Sequence, residues 1–174
     1  MQLSRHKALN ASFFRDMSLM TGVKLKAEDA ADLEVMAAHL QDAILRVGDF
    51  VWLARQRRFA GVATRFCWEH VDVDPENPAL SRPKKGKSFY RTRAGLHFDS
   101  VLGVKAKGFD QNDAEAFLVV LGLTFEPSED GAGTLRIAFG GDAELALEVE
   151  CLDASMSDQT APWPTDQLPQ HEES

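Results

Sequence analysis

Cysteine, tyrosine and long apolar runs are what this chain has least of. Its 174 residues include two cysteines, Cys67 and Cys151, far apart and in no paired motif. A disulfide framework or a zinc cluster needs more thiols or closer spacing, so both read as reduced side chains that pack like small hydrophobes. No stretch approaches the roughly 18 apolar residues of a membrane span. The first twenty residues, MQLSRHKALNASFFRDMSLM, lack the continuous apolar segment of a secretory leader. Residues 1–21 are therefore expected to be a flexible extension. Met17 or Met20 is an alternative start to Met1, because clear patterning begins only at Val23. A cytoplasmic location follows, in which thiols stay reduced. GxxxxGK[ST], GxGxxG and GxSxG are all missing, so no phosphate loop, dinucleotide turn or nucleophile elbow is announced. No cofactor, metal site or catalytic residue is expected.

What is present is apolar content of 44%, enough for a self-sufficient core, and an uneven charge. Residues 1–108 carry 18 Lys/Arg against 12 Asp/Glu, a net of +6, and residues 109–174 carry 1 against 15, a net of −14, which together give the chain's −8. The overall charge repels nucleic acid and anionic membranes, so any grip on an anion must be local.

Val23–Ala27 alternates as a short strand. In EDAADLEVMAAHLQDA, Glu28 or Asp29 can cap a helix whose first turn is acidic, as the macrodipole favours. One helix is expected over 29–41, with Leu33, Met36 and Leu40 in the core. Ile44–Leu53 reads as a strand with a kink or bulge at Gly48–Asp49, ARQRR as a polar turn, and Phe59–Glu69 as the returning strand. The more apolar set of that strand, Ala60, Val62, Thr64, Phe66 and Trp68, is expected inward. Residues 70–91 hold three prolines and dense charge and read as a long charged loop.

From Thr92 to Lys107 the chain alternates, with Ala94, Leu96, Phe98, Ser100, Leu102, Val104 and Ala106 on one face. That is a half-exposed antiparallel strand, long enough to bend or split near Gly103. Phe117–Phe125, apolar on both faces, reads as a central strand. Thr134–Phe139 and Glu144–Leu152 flank a GGD hairpin turn. Leu135, Ile137 and Phe139 are expected to face Leu145, Leu147, Val149 and Cys151. Residues 160–174, Pro-rich and polar, read as a disordered acidic tail.

A strand, a helix and about six further strands on short turns exclude a parallel βαβ fold. The expected class is α+β: a single domain over 22–159, built as a strongly curved, mostly antiparallel sheet or half-open barrel of about six to seven strands with one main helix. Pleckstrin-like and split-barrel topologies both fit.

Candidate binding residues are cations. Arg55, Arg57 and Arg58 cluster at a hairpin tip, with Arg65 further along the strand, and guanidinium forks suit carboxylates and phosphates. The segment 82–93 adds Lys84, Lys85, Lys87, Arg91 and Arg93 with Phe89 and Tyr90 and no acid, a mixture that can hold phosphates and stack bases. His97 and Asp99, two apart on a strand, face the same way, although no nucleophile is placed beside them.

The segments LQDAILRVGDFVWLARQRRFAGVATRFCWE, RTRAGLHFDSVLGVKAKGFD and ALEVECLDASMSD, in that order, resemble an alphaproteobacterial family, the domain of unknown function family numbered 2948. The resemblance covers roughly Val23–Trp163 and implies no reaction, ligand or catalytic residue. The leading functional expectation is a small non-catalytic binding or accessory protein that acts through a protein partner or a second copy of itself. Two others stand beside it: a binder of an anionic ligand or RNA through Arg55–Arg58 and residues 82–93, and an enzyme with a pocket in the curved sheet.

Overall fold

Alternating apolar and polar residues drive most of the described chain into strands; the computed structural model describes residues 22–169. The expected N-terminal extension, the choice of start and the last five residues of the tail lie outside the described residues. In chain order the elements are β1 (Lys24–Ala27), α1 (Ala30–Leu40), β2 (Ile44–Leu53), β3 (Arg58–Phe66), β4 (Val71–Asp72), β5 (Arg82–Pro83), β6 (Phe89–Phe98), β7 (Val101–Lys107), β8 (Phe117–Pro127), β9 (Gly133–Phe139), β10 (Glu144–Val149), β11 (Ala154–Asp158) and β12 (Trp163–Thr165). None of the described helices is long and apolar enough to cross a membrane.

One antiparallel sheet runs in the order β1-β11-β6-β3-β2-β8-β9-β10-β7, with β12 added alongside β6. β4 and β5 form a separate pair within the 70–91 loop. The sheet is not closed: β1 and β7 are its edges. It has ten strands rather than the six to seven expected. One extra strand arises because the long 92–107 strand divides; the other two, β11 and β12, come from ASMSD and WPT, which are too short to show an alternating pattern. β12 lies within the segment read as a disordered tail, where Trp163 stands opposite Arg91.

The helix forms where its spacing requires. Asp29 caps it, accepting from the Asp32 amide at 2.8 Å, and Leu33, Met36 and Leu40 are buried as the helix lies on β8 and β1. The bulge at Gly48 is also present. Between Leu45 and Phe50 the pairing with β3 lapses, and the amides of Val47 and Gly48 donate instead to the carbonyls of Ala116 and Ala114, both at 2.9 Å. A Cβ on Gly48 would lie 2.9 Å from the Ala114 oxygen, so only glycine lets the 110–116 loop approach this closely.

Three expectations are corrected. The long strand breaks at Asp99–Ser100, where Ser100 takes φ 59°, rather than near Gly103. The corner carries the chain from neighbours β3 and β11 to neighbour β10. Just beyond it the register with β10 skips Leu102, which turns outward and is 52% exposed. On β3 the inward row is Phe59, Ala63 and Arg65, not Ala60, Val62 and Thr64; Phe66 of the expected set is also fully buried, but against Trp68 and Phe89 rather than in the main core. Ranking faces by apolarity misled because a fully buried arginine belongs to the inner one. Finally, Cys151 is exposed and Leu152 is buried in its place, since β10 ends at Val149.

The inner face of the sheet and α1 share one core, including Leu45, Phe59, Leu96, Phe98, Val120, Ile137, Phe139, Leu147 and Met156. The register predicts unequal costs for two leucines. Leu147→Ala, at a fully buried site, is expected to cost about 2–5 kcal/mol, and Leu102→Ala less than about 0.5 kcal/mol. Urea denaturation of both variants checks this, and equal losses would contradict the bulge.

Candidate functional site

The cations singled out in the sequence do not converge. Arg65 is buried at one end of the sheet. Its Nε and Nη2 donate to Asp158 at 2.8 and 2.7 Å, and its Nη2 and Nη1 donate to Glu69 at 2.7 and 2.9 Å. Asp158 Oδ2 also accepts from the Val23 amide at 2.8 Å, so one guanidinium ties β3, the turn after it, β11 and the start of β1 together. Burial opposes the charge on Arg65, but the two carboxylates outweigh it and raise its pKa. Burial likewise works against ionised Glu69, and the Arg65 hydrogen bonds reverse the balance and hold it below 4.5. Next to this cluster, burial chiefly pushes the Cys67 thiol up to about 12.

At the β2–β3 tip, Arg57 Nη1 donates to Glu150 at 2.8 Å. Arg58 Nε and Nη2 donate to the two oxygens of Asp99 at 2.6 and 3.2 Å. Arg55 is exposed on the single helical turn between the strands. His97 Nδ1 lies 3.2 Å from Asp99 Oδ2, so the predicted pair exists, with Arg58 as its third member. Arg58 holds the Asp99 carboxyl below its ordinary value against partial burial. In the 70–91 loop, Lys84 Nζ donates to the Glu69 carbonyl at 3.0 Å, Lys85 is exposed and Lys87 half-buried. The adjacent Glu69 and His70 go separate ways: the first to Arg65, the second edge-on to Tyr90. Among the described residues there is no cluster able to hold a metal ion.

The outer face of the sheet is different. Strand parity turns Arg91, Arg93 and His97 of β6, Val62 and Thr64 of β3, Ile44 and Arg46 of β2, and Phe117 and Val119 of β8 to the side opposite the core. Two concavities lie there. The larger, about 580 Å³, is walled by Ile44, Val119, Phe89 and Leu168, with Asp42, Arg91 and Asp166 among its polar groups. The smaller, about 250 Å³, is formed by Ile44, Arg46, Asp49, Val62, Thr64, Arg93 and Phe117. Ile44 belongs to both, so the two adjoin. Arg91 lies 5.6 Å from the Phe66 ring centroid, within cation–π range. Its Nη1 is buried without a hydrogen-bond partner among the described residues. Burial lowers the pKa of this guanidinium, and the field of Asp42 opposes that.

Strand β8 is central in the sheet, as its apolarity suggests, yet among the described residues only its inner face is covered. Phe117, Val119 and Leu121 are 68%, 39% and 53% exposed. The sequence carried no signal for this, because an apolar strand covered on both sides and one left open on one side have the same composition.

The family model described as Protein of unknown function (DUF2948) matches residues 23–171. The chain belongs to the DUF2948 family. Among curated proteins and among solved structures, none matches it. In this DUF2948 chain the buried ionic cluster and the open outer face are therefore read from their own chemistry.

For the cluster, Arg65→Met leaves the buried Asp158 carboxylate facing the half-buried Glu69 and is expected to cost about 3–5 kcal/mol, measured by urea denaturation at neutral pH. Because the folded-state pKa of Glu69 is depressed, its contribution is present above about 4.5 and fades as pH falls through the folded value. Glu69→Gln should thus be less stable than wild type at pH 7, with the gap closing as the solution is acidified. For the thiols, Ellman's reagent should label exposed Cys151 quickly in the native DUF2948 chain and Cys67 only on unfolding. Two fast thiols would contradict the burial of Cys67.

Proposed function

We propose that this chain is a cytosolic, non-catalytic binding module that works through contacts of its outer sheet face with another protein. The exposed row Phe117–Val119–Leu121 on β8 carries this reading. An isolated apolar residue at a surface needs no explanation, but a contiguous stripe beside polar groups marks an interaction site. The surrounding charge fits a rim: Arg93 makes no side-chain hydrogen bond or ion pair among the described residues, and Arg46 is shared between Asp49 and Glu115.

A site for an anionic ligand or RNA along Arg55–Arg58 and residues 82–93 draws less support. Arg57, Arg58 and Arg65 spend their donors on Glu150, Asp99 and the Glu69–Asp158 pair. An enzyme acting at His97 draws less still, since neither concavity includes it.

Affinity capture from the native cell extract with the wild-type chain and with Val119→Asp, read by quantitative mass spectrometry, tests the reading. A protein recovered in stoichiometric amount by wild type and depleted with the variant is expected. Identical recovery with both baits would remove the outer face as the binding surface.

A further inference from the structure

The partner is decided by how charge is distributed along the outer face. Ile44 stands at the junction of the two concavities. On one side of it lies Arg93, which makes no ion pair among the described residues, beside Arg46, which Asp49 and Glu115 already hold. On the other lie Asp42 and Asp166 with one cation, Arg91. The face thus offers an unpaired cation, Arg93, at one end and is net negative at the other, with the apolar Ile44 between. Such a surface does not select a uniformly acidic or basic partner. It matches its own image after a half-turn.

We propose that the outer face is an interface between two copies of this chain, related by a two-fold axis near Ile44. This rests on the binding-module reading above and names its partner. A two-fold contact is isologous: each patch meets the same patch reversed. The half-turn lays Arg93 of one copy against the Asp166 end of the other, and does so twice.

It also solves a shape problem. Phe117, the most exposed large apolar side chain described, stands at the rim of the smaller concavity. The rotation brings it over the larger concavity of the second copy, whose walls Val119, Phe89 and Leu168 are apolar and whose Arg91 guanidinium can meet the ring face. The reciprocal pair forms on the other side of the axis. Val119, between the two pairs, becomes covered. Buried aromatic anchors at the centre with ion pairs at the rim is the usual division of labour in an interface.

Sedimentation equilibrium and light scattering on the full chain test this. Wild type should be a dimer that weakens in high salt. Val119→Asp should be a folded monomer, with its circular dichroism and melting temperature near wild type because the site is exposed. Arg93→Glu and Asp166→Arg should each weaken self-association by about tenfold or more, since each places like charges in both rim contacts. Mixed in equal amounts, these two variants should recover wild-type affinity as a heterodimer, because each rim contact then pairs opposite charges. That rescue is the signature of a two-fold contact.

A monomeric wild type at all accessible concentrations would overturn the proposal. So would a dimer indifferent to Val119→Asp, or charge variants that weaken the dimer without rescue on mixing. If wild type is monomeric while capture still recovers a protein sensitive to Val119→Asp, the second copy is excluded and the binding-module reading survives. If capture is also insensitive, both fall.

Discussion

The buried arginine at the end of β3 is the constraint from which much of this structure follows. Arg65 has no exposed side-chain surface, and a charge so placed is tolerable only when its hydrogen bonds are met. Five side-chain bonds meet them: two to Asp158, two to Glu69 and one to the Phe66 carbonyl. Asp158 comes from the far end of the described chain, and Glu69 from the turn that follows β3. β11 must return beside β6 to deliver Asp158, and the chain must turn directly after β3 to deliver Glu69. The short polar strand ASMSD, with few apolar residues of its own, is thereby held in the sheet, and β1 is added to it through the Val23 amide.

With that end fixed, the sheet divides its two faces unequally. The inner face meets α1 and forms one continuous core. The outer face has only partial cover: the 70–91 loop and the tail reach its edge at Ala79, Ser81 and Leu168, leaving Val119 and Phe117 open. The packed core and the exposed apolar row thus lie on opposite sides of the same strands. A substitution at Val120 acts on the core, and one at its neighbour Val119 acts on the outer surface, because consecutive residues of a strand point to opposite faces.

Much of the fold was legible in the residues. Leu33, Met36 and Leu40 repeat at helical spacing behind a capping Asp29, and they are the buried face of α1. Ala94, Leu96 and Phe98 alternate, and they are core. Gly48 signalled the bulge. Where the reading failed, something distant intervened. The parity of β3 was inverted because Arg65 is stabilised by Asp158, 93 positions away. The break between β6 and β7 moved to Ser100 because the corner is set by the strands on either side of it. Among the candidate site residues, Arg91 and Arg93 do line concavities, whereas Arg57 and Arg58 turn to acids that their sequence neighbourhood does not contain, and Arg65 joins the nearby Glu69 to the distant Asp158.

By itself the sequence determined the class of fold, the one helix, the alternation within most strands and the family, since each is written in local spacing or in the order of segments. Tertiary structure alone decided which face of each strand is covered, which cations find carboxylates and which apolar side chains of β8 stay open to solvent. Alternation states only that a strand has two faces; what covers either one depends on segments far along the chain, and so appears only once they have been brought together.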